Sequence, residues 1–104
     1  MKNTIVVTYE LKKDFRDTHI SLLNAVFEEL KKLSTKDVDY KVLCSSDGFT
    51  FTHISTFKSD NGSNPIVQLA AFKNFNENLS DRILSPPKVE SVSLIGNYVY
   101  NISQ

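Results

Sequence analysis

The sequence predicts an α+β domain of four strands and two helices in the order β-α-β-β-α-β. Three observations carry that prediction. Runs rich in β-branched residues, NTIVVTY and FTFTHISTF, flank a segment whose apolar residues recur with helical period. Asp47-Gly48 stands between two alternating runs, where a hairpin turn belongs. Asn64-Pro65 then opens a second helical pattern, as a capping residue followed by a proline in the first turn does.

The first strand spans residues 3–9, with Ile5, Val7 and Tyr9 on one face and Thr4, Val6 and Thr8 on the other. From Asp14, the spacing of Phe15, His19, Leu22, Val26, Leu30 and Leu33 predicts a helix of about 20 residues. Asp14 and Asp17 near its start and Lys31 and Lys32 near its end suit the helix dipole. VDYKVLCS is the second strand, and a two-residue turn at Asp47-Gly48 leads into the third. SDNGSNP is a loop, after which Leu69, Phe72, Phe75 or Asn76, and Leu79 space out along a second helix beginning at Pro65. Pro86-Pro87 breaks the chain before KVESVSLIGNYVYNI, a long fourth strand in which Gly96 marks a bulge or a close backbone approach. This is the ferredoxin-like order, an antiparallel four-stranded sheet with two helices on one face, strands one and three central and strands two and four at the edges. Residues 1–104 make a single domain, long enough to bury roughly 65% of its unfolded surface.

A two-residue turn at Asp47-Gly48 pairs Cys44 with Phe51, Val42 with His53, Tyr40 with Ser55 and Val38 with Phe57. One hairpin face is therefore apolar and aromatic, while the other carries Asp39, Lys41, Leu43, Thr50, Thr52, Ile54 and Thr56. DGFTF has the residue order of an RNA-binding strand, in which two aromatics stack on bases. Exposing Phe49 and Phe51 would leave the apolar face of the second strand wet, at about 25 cal/mol per Å². Asp47 also stands where that motif wants a basic residue, and Val6 where it wants a second aromatic. Both rings are expected to face the helices. The opposite face, with Ser91, Ser93 and Ile95 added from strand four, is threonine-rich and poor in charge, which favours closure against a second copy of the chain.

Twelve basic residues balance twelve acidic ones, so no net field gathers a polyanion, and no nucleic-acid partner is expected. The start MKNTIVVTYEL has too short an apolar run for a signal peptide or membrane span, and one cysteine forms no intrachain disulfide. The expectation is a cytoplasmic protein with no membrane partner. There is no phosphate-binding glycine loop, zinc pattern or nucleophile elbow, and neither a metal nor a cofactor is assigned.

FTHISTF on strand three, QLAAFKNFNENLSDRI on helix two, the Pro-Pro pair and LIGNYVYN on strand four together resemble small bacterial members of the dimeric α/β-barrel superfamily, which includes the antibiotic-biosynthesis-monooxygenase group. The resemblance implies a homodimer, and a cleft between sheet and helices that holds a substrate or a haem. Oxygenases and haem-degrading members of that superfamily rely on a tryptophan working with Asn, Tyr or His. This chain has no tryptophan, and although Asn24, Tyr40 and His53 are of suitable types, no spacing marks them as a set.

His53 is the histidine that strand register places on the apolar face, and it is the candidate catalytic residue, orienting a ligand oxygen or exchanging a proton with it. Tyr40, Phe51, His53, Phe72, Arg82 and Tyr98 are the candidate ligand-binding residues, with Phe51, Phe72 and Tyr98 as walls. Arg82 is equally suited to capping helix carbonyls, His19 reads as a helix-edge residue and Cys44 as a small buried one. The function expected is binding of a small apolar or aromatic molecule by a homodimer, with chemistry like that of a cofactor-independent monooxygenase. The alternative is a non-enzymatic interaction or regulatory domain whose cleft is filled by its own side chains.

Overall fold

Residues 4–8, all β-branched, form the middle of strand β1 (Lys2–Glu10) in the computed structural model, which describes residues 2–59 and 63–100. Helix α1 (Arg16–Leu33) follows a short 3-10 turn, and the hairpin consists of β2 (Val38–Cys44) and β3 (Thr50–Lys58). After a second 3-10 turn at Pro65–Gln68 come the short helices α2 (Ala70–Glu77) and α3 (Leu79–Arg82), and then β4 (Lys88–Val92). The sheet order is β2-β3-β1-β4, all neighbours antiparallel, so β1 and β3 are central as expected.

The hairpin register agrees with the sequence reading pair by pair, Cys44 opposite Phe51 and Val42 opposite His53. The turn itself differs. Ser45 N–H donates to Thr50 O at 2.8 Å and Gly48 N–H to Ser45 O at 2.9 Å, leaving a four-residue loop rather than a two-residue one. Asp47 holds it, its carboxylate accepting from the Phe49 and Thr50 amides at 2.8 and 3.0 Å and from the Thr50 hydroxyl at 2.8 Å. Gly48 takes φ +84°, a left-handed conformation that costs glycine nothing. Symmetric lengthening preserves the register. Cys44, expected to be buried, is exposed, because it ends an edge strand whose last two residues escape helix cover.

Helices cover the face bearing Tyr9, Phe51, His53, Ser55 and Phe57, all buried, and Phe49 packs half-buried against the same core. Burial along β3 alternates without a break. On α1, His19, Leu23 and Val26 are the buried positions, while Leu33 is exposed at the last turn. The second helical segment is not continuous from Pro65. Asn64 Oδ1 accepts from Ile66 N–H at 3.1 Å and caps only one 3-10 turn, Leu69 is extended, and α2 starts afresh at Ala70. Its free amides are capped from another element: Glu29 of α1 accepts from Ala71 N–H at 2.7 Å and Ala70 N–H at 3.3 Å.

The long fourth strand is not formed. β4 pairs only with residues 4–8 of β1, ending at Val92 opposite Thr4. Residues 93–100 form no strand, Gly96 marks no bulge, and Leu94, Ile95, Tyr98, Val99 and Tyr100 are exposed. Residues 101 and 102 of the expected strand, and residues 60–62 of the expected loop, lie outside the described residues. The register also corrects the open face: Ser91 shares the helix side with Ile5, while Lys88, Glu90 and Val92 lie on the open side with Thr8, Val6 and Thr4. No helix among the described residues is long and apolar enough to cross a membrane.

The tertiary cap gives a first prediction. Glu29→Ala should lower unfolding free energy by about 1 kcal/mol, and Glu29→Gln, which keeps an acceptor but loses the charge near the helix start, by less. Urea titration of the three proteins checks the order, and an unchanged stability in Glu29→Ala would show that the carboxylate serves no capping role.

Candidate functional site

Between the sheet and the segment running from Pro65 to Leu79 lies a cavity of about 390 Å³. Its floor is the apolar face of the central strands and β4, where Ile5, Val7, Phe57 and Val89 stand beside His53 and Ser55. Its roof is Ile66, Phe72, Phe75 and Leu79, and Val67, Asn76 and Pro87 also line it. The break at Leu69 tilts two short helical pieces over the sheet in place of one straight rod, and the space lies beneath them. Asn64, besides capping the 3-10 turn, donates from Nδ2 to Ser55 Oγ at 3.1 Å and ties that loop to the floor.

At one end of the cavity a buried polar chain begins. Tyr40 Oη lies 2.7 Å from His53 Nδ1, and His53 Nε2 lies 2.6 Å from Tyr9 Oη. Tyr9 Oη is also 2.5 Å from His19 Nε2, and His19 Nδ1 accepts from Arg82 Nε at 3.2 Å. Arg82 Nη2 finishes the chain by donating to Phe75 O at 2.5 Å. Five side chains from β2, β3, β1, α1 and α3 are thus joined, and among the described residues no buried side-chain polar atom lacks a partner.

Each member owes its place to its element. Tyr9 follows Ile5 and Val7 on the inner face of β1, and His53 occupies the matching face of β3. His19 lies one turn before Leu23 on the buried stripe of α1. Arg82 is held because the chain after α3 joins the end of β1, with Lys12 N–H donating to Arg82 O at 2.8 Å and Leu84 N–H to Glu10 O at 2.9 Å. The aromatic packing is equally specific. Phe51 stacks on Tyr9 with centroids 5.8 Å apart, Phe27 on Tyr40 at 5.3 Å, and the Arg82 guanidinium carbon sits 5.2 Å from the centre of the Phe75 ring.

Burial governs the electrostatics. It pushes His53 down to about 4, and His19 down to about 4 with help from the Arg82 charge and from His53. It raises the phenols of Tyr9 and Tyr40 well above their ordinary range. Both imidazoles are therefore neutral at neutral pH, and both phenols keep their protons. Arg82 is also lowered by burial, and no carboxylate among the described residues lies within ion-pair distance of it.

The structure brings together Tyr40, His53 and Phe72 at the cavity. Phe51 lies behind Tyr9, buried and outside the lining, and Arg82 reaches the site only indirectly, through His19 and Phe75. Tyr98 is not a wall: it is 86% exposed, because the strand expected to carry it inward stops at Val92. The helix-edge reading of His19 is overturned, since that residue is fully buried and bonded on both nitrogens. Tyr9 and His19 were missed as site residues. The available signal was two polar-tipped rings on surfaces that the fold turns toward each other, the inner face of β1 and the buried stripe of α1. Asn24 lies exposed on α1. A haem, which the resemblance allows, would need an axial ligand such as an imidazole nitrogen. The chain has two histidines and all four of their nitrogens are engaged, so they do not fit that role. Among the described residues no three His, Cys, Asp or Glu side chains converge as a metal cage.

The two depressed histidines predict acid sensitivity of a definite sign. Between about pH 6.5, where an unfolded histidine titrates, and about 4, the unfolded chain binds more protons than the folded one. Stability from this source is full above that window and falls as pH drops through it, by on the order of several kcal/mol for the pair at about 1.4 kcal/mol per tenfold loss of proton affinity. His53→Gln should make the fall in melting temperature about half as steep. A wild-type melting temperature that stays level across this window would contradict the neutral, buried state of the two rings.

No family profile matches the chain, and no curated protein does. Solved structures do. The chain is similar to the Rv0793 protein of Mycobacterium tuberculosis, at 13% identity and TM-score 0.75, over 95% of this chain and 100% of that one. It is similar to a proposed antibiotic biosynthesis monooxygenase of Bacteroides thetaiotaomicron, at 9% identity and TM-score 0.79, over 96% and 95%. A proposed monooxygenase of the same kind from Nitrosomonas europaea matches at 12% identity and TM-score 0.73, over 90% of both chains. At these identities the likeness is one of fold, and the chain has the ferredoxin-like α+β fold of the antibiotic-biosynthesis-monooxygenase-like proteins.

Proposed function

We propose that this protein is a homodimer that binds a small, largely apolar, ring-bearing molecule in the cleft between sheet and helices and supports cofactor-independent, oxygenase-like chemistry on it. The observation that carries this reading is the cavity of about 390 Å³ that meets Tyr40, His53 and Tyr9 at one end and is otherwise mostly hydrocarbon. Small-molecule sites of roughly 300–1,000 Å³ have this make-up, apolar walls with a few convergent polar groups. Phe72 and Phe75 offer ring faces to a flat ligand, while the Tyr40 hydroxyl meets its oxygen and His53, bonded to that hydroxyl, acts on it through Tyr40. Phe51 and Arg82 act from behind, through Tyr9 and His19. The name of the Bacteroides and Nitrosomonas proteins supports oxygenase chemistry at this cleft by likeness of fold. A purely structural cleft, filled by its own side chains, would leave no such space.

Dimerisation is supported by the open face of the sheet. Its centre is uncharged, with half-buried Thr4, Val6, Thr8, Thr50, Thr52, Ile54 and Thr56, and its edges carry Asp39 with Lys41 and Lys88 with Glu90. An uncharged centre with a charged rim is interface anatomy. The unpaired stretch from Leu94 to Tyr100 adds exposed apolar side chains that a second copy would cover.

Two experiments test the parts separately. Ile54→Lys, which puts a charge at the centre of that face, should shift sedimentation from dimer to monomer at micromolar protein; a wild-type monomer at that concentration removes the dimer. Mass spectrometry of the purified protein should find a copurified ring compound, and His53→Gln should weaken its binding by about tenfold. Unchanged affinity in that variant would return His53 to a structural role.

A further inference from the structure

We propose that Arg82 sets the direction of the buried hydrogen-bond chain, so that Tyr40 presents its hydroxyl hydrogen at the cavity and the site takes its ligand by a hydrogen-bond-accepting oxygen, a carbonyl or an oxyanion, on an apolar body. The proposal rests on the reading of the cavity as a ligand site.

The direction follows from counting hydrogens. A guanidinium only donates, so His19 Nδ1, 3.2 Å from Arg82 Nε, carries a lone pair, and the single ring hydrogen of His19 is on Nε2. That hydrogen goes to Tyr9 Oη. Tyr9 has one hydrogen of its own and one remaining partner, His53 Nε2 at 2.6 Å; sending it elsewhere would strand a donor in a buried site. His53 Nε2 is then an acceptor, so the ring hydrogen of His53 is on Nδ1 and is donated to Tyr40 Oη at 2.7 Å. Only the Tyr40 hydrogen is left. No acceptor for it exists among the described residues, and Tyr40 lines the cavity. The two histidines are thus locked in opposite tautomers, and a cation with no carboxylate among the described residues within ion-pair distance stands at the far end of the chain. Each bond polarises the next, which makes Tyr40 a stronger donor than an isolated phenol and favours negative charge on what it meets. Arg82 is a positioning residue, and Tyr40 is the group that touches the ligand.

Three bicycles of one shape test the assignment on the full-length protein: indanone, which only accepts, indole, which offers an N–H donor, and indane, which does neither. Indanone should bind roughly five- to tenfold more tightly than indane, the worth of one hydrogen bond, and indole no more tightly than indane. The indanone carbonyl stretch should move to lower frequency on binding, and Tyr40→Phe should abolish both the shift and the advantage. Nitrogen NMR of isotope-labelled histidines in the unmodified protein should find His19 protonated on Nε2 and His53 on Nδ1. Arg82→Gln releases the direction, since an amide can donate or accept, and should narrow the gap between indanone and indole. If that variant does not fold, the wild-type tautomers still decide. His19 protonated on Nδ1, the same tautomer on both rings, or an indole preference overturns the proposal. Tight indanone binding with the wrong tautomers removes the direction and spares the cavity reading. Correct tautomers with no binding of any of the three removes both the ligand assignment and the cavity reading.

Discussion

The Tyr9 hydroxyl, shared between two imidazoles, is the constraint from which the rest of the structure can be built. One oxygen lies within bonding distance of a histidine from α1 and a histidine from β3, with β1 carrying it between them. Polar groups buried this deeply must satisfy one another, because water is not there to do it. The height of α1 above the sheet and its rotation about its own axis are thereby tied to hydrogen-bond distances, where a purely apolar contact would tolerate sliding. Arg82 extends the same requirement to the far end of the chain. Its side chain must reach His19 and Phe75 O together, and the backbone at Arg82 and just after it is pinned to the end of β1 through Lys12 and Glu10.

The cavity is the complement of that arrangement. At the His19 end of the polar chain Phe51, Phe75, Leu23 and Val26 are buried together, while its Tyr9, His53 and Tyr40 end borders the cavity. Over the other half of the sheet the cover consists of a 3-10 turn and an eight-residue helix separated by extended Leu69. Such short pieces have little helical stability of their own. They depend on Asn64 and Glu29 for their starts and on Ile66, Leu69 and Phe75 for their anchorage. Space is left under these short pieces, whose limited helical stability suits them to admit a ligand.

Legibility in the sequence followed the range of the interaction. The hairpin register and the division of its faces could be read because Asp47 and Gly48 fix the pairing locally, and lengthening the loop by one residue on each side took Ser46 and Phe49 out of the ladder but left the pairs from Cys44–Phe51 to Val38–Phe57 unchanged. The strand order followed from handedness rules once the elements were in place. What failed was long-range. The fourth strand reads as continuous from its residues alone, yet its pairing with β1 stops at Val92, opposite Thr4, and the residues beyond stay unpaired. His19 fell on the helical stripe in the sequence, but its burial depends on Tyr9, ten positions away, and on Arg82, 63 positions away. No local pattern carries that information. His53 was found because strand register alone decides its face.

Stability alone gives no reason for this polar chain. A buried arginine with no carboxylate among the described residues within ion-pair distance, two imidazoles stripped of solvent and two phenols with raised proton affinity each carry a desolvation cost that well-packed leucine and phenylalanine would not. Hydrogen bonds along the chain offset that cost, and fully connected networks fix one arrangement of a core, but apolar packing of similar volume holds folds of this size as well. The chain also has a beginning and an end that are chemically different. One end is a group that can only donate, in a pocket closed by Phe75, and the other is a phenol at the wall of an apolar cavity. A core network serving only to fix packing would be equally satisfied running in either direction. Anchoring it on a guanidinium removes one of the two directions, and that asymmetry has a consequence only at the open end, where Tyr40 meets whatever occupies the cavity.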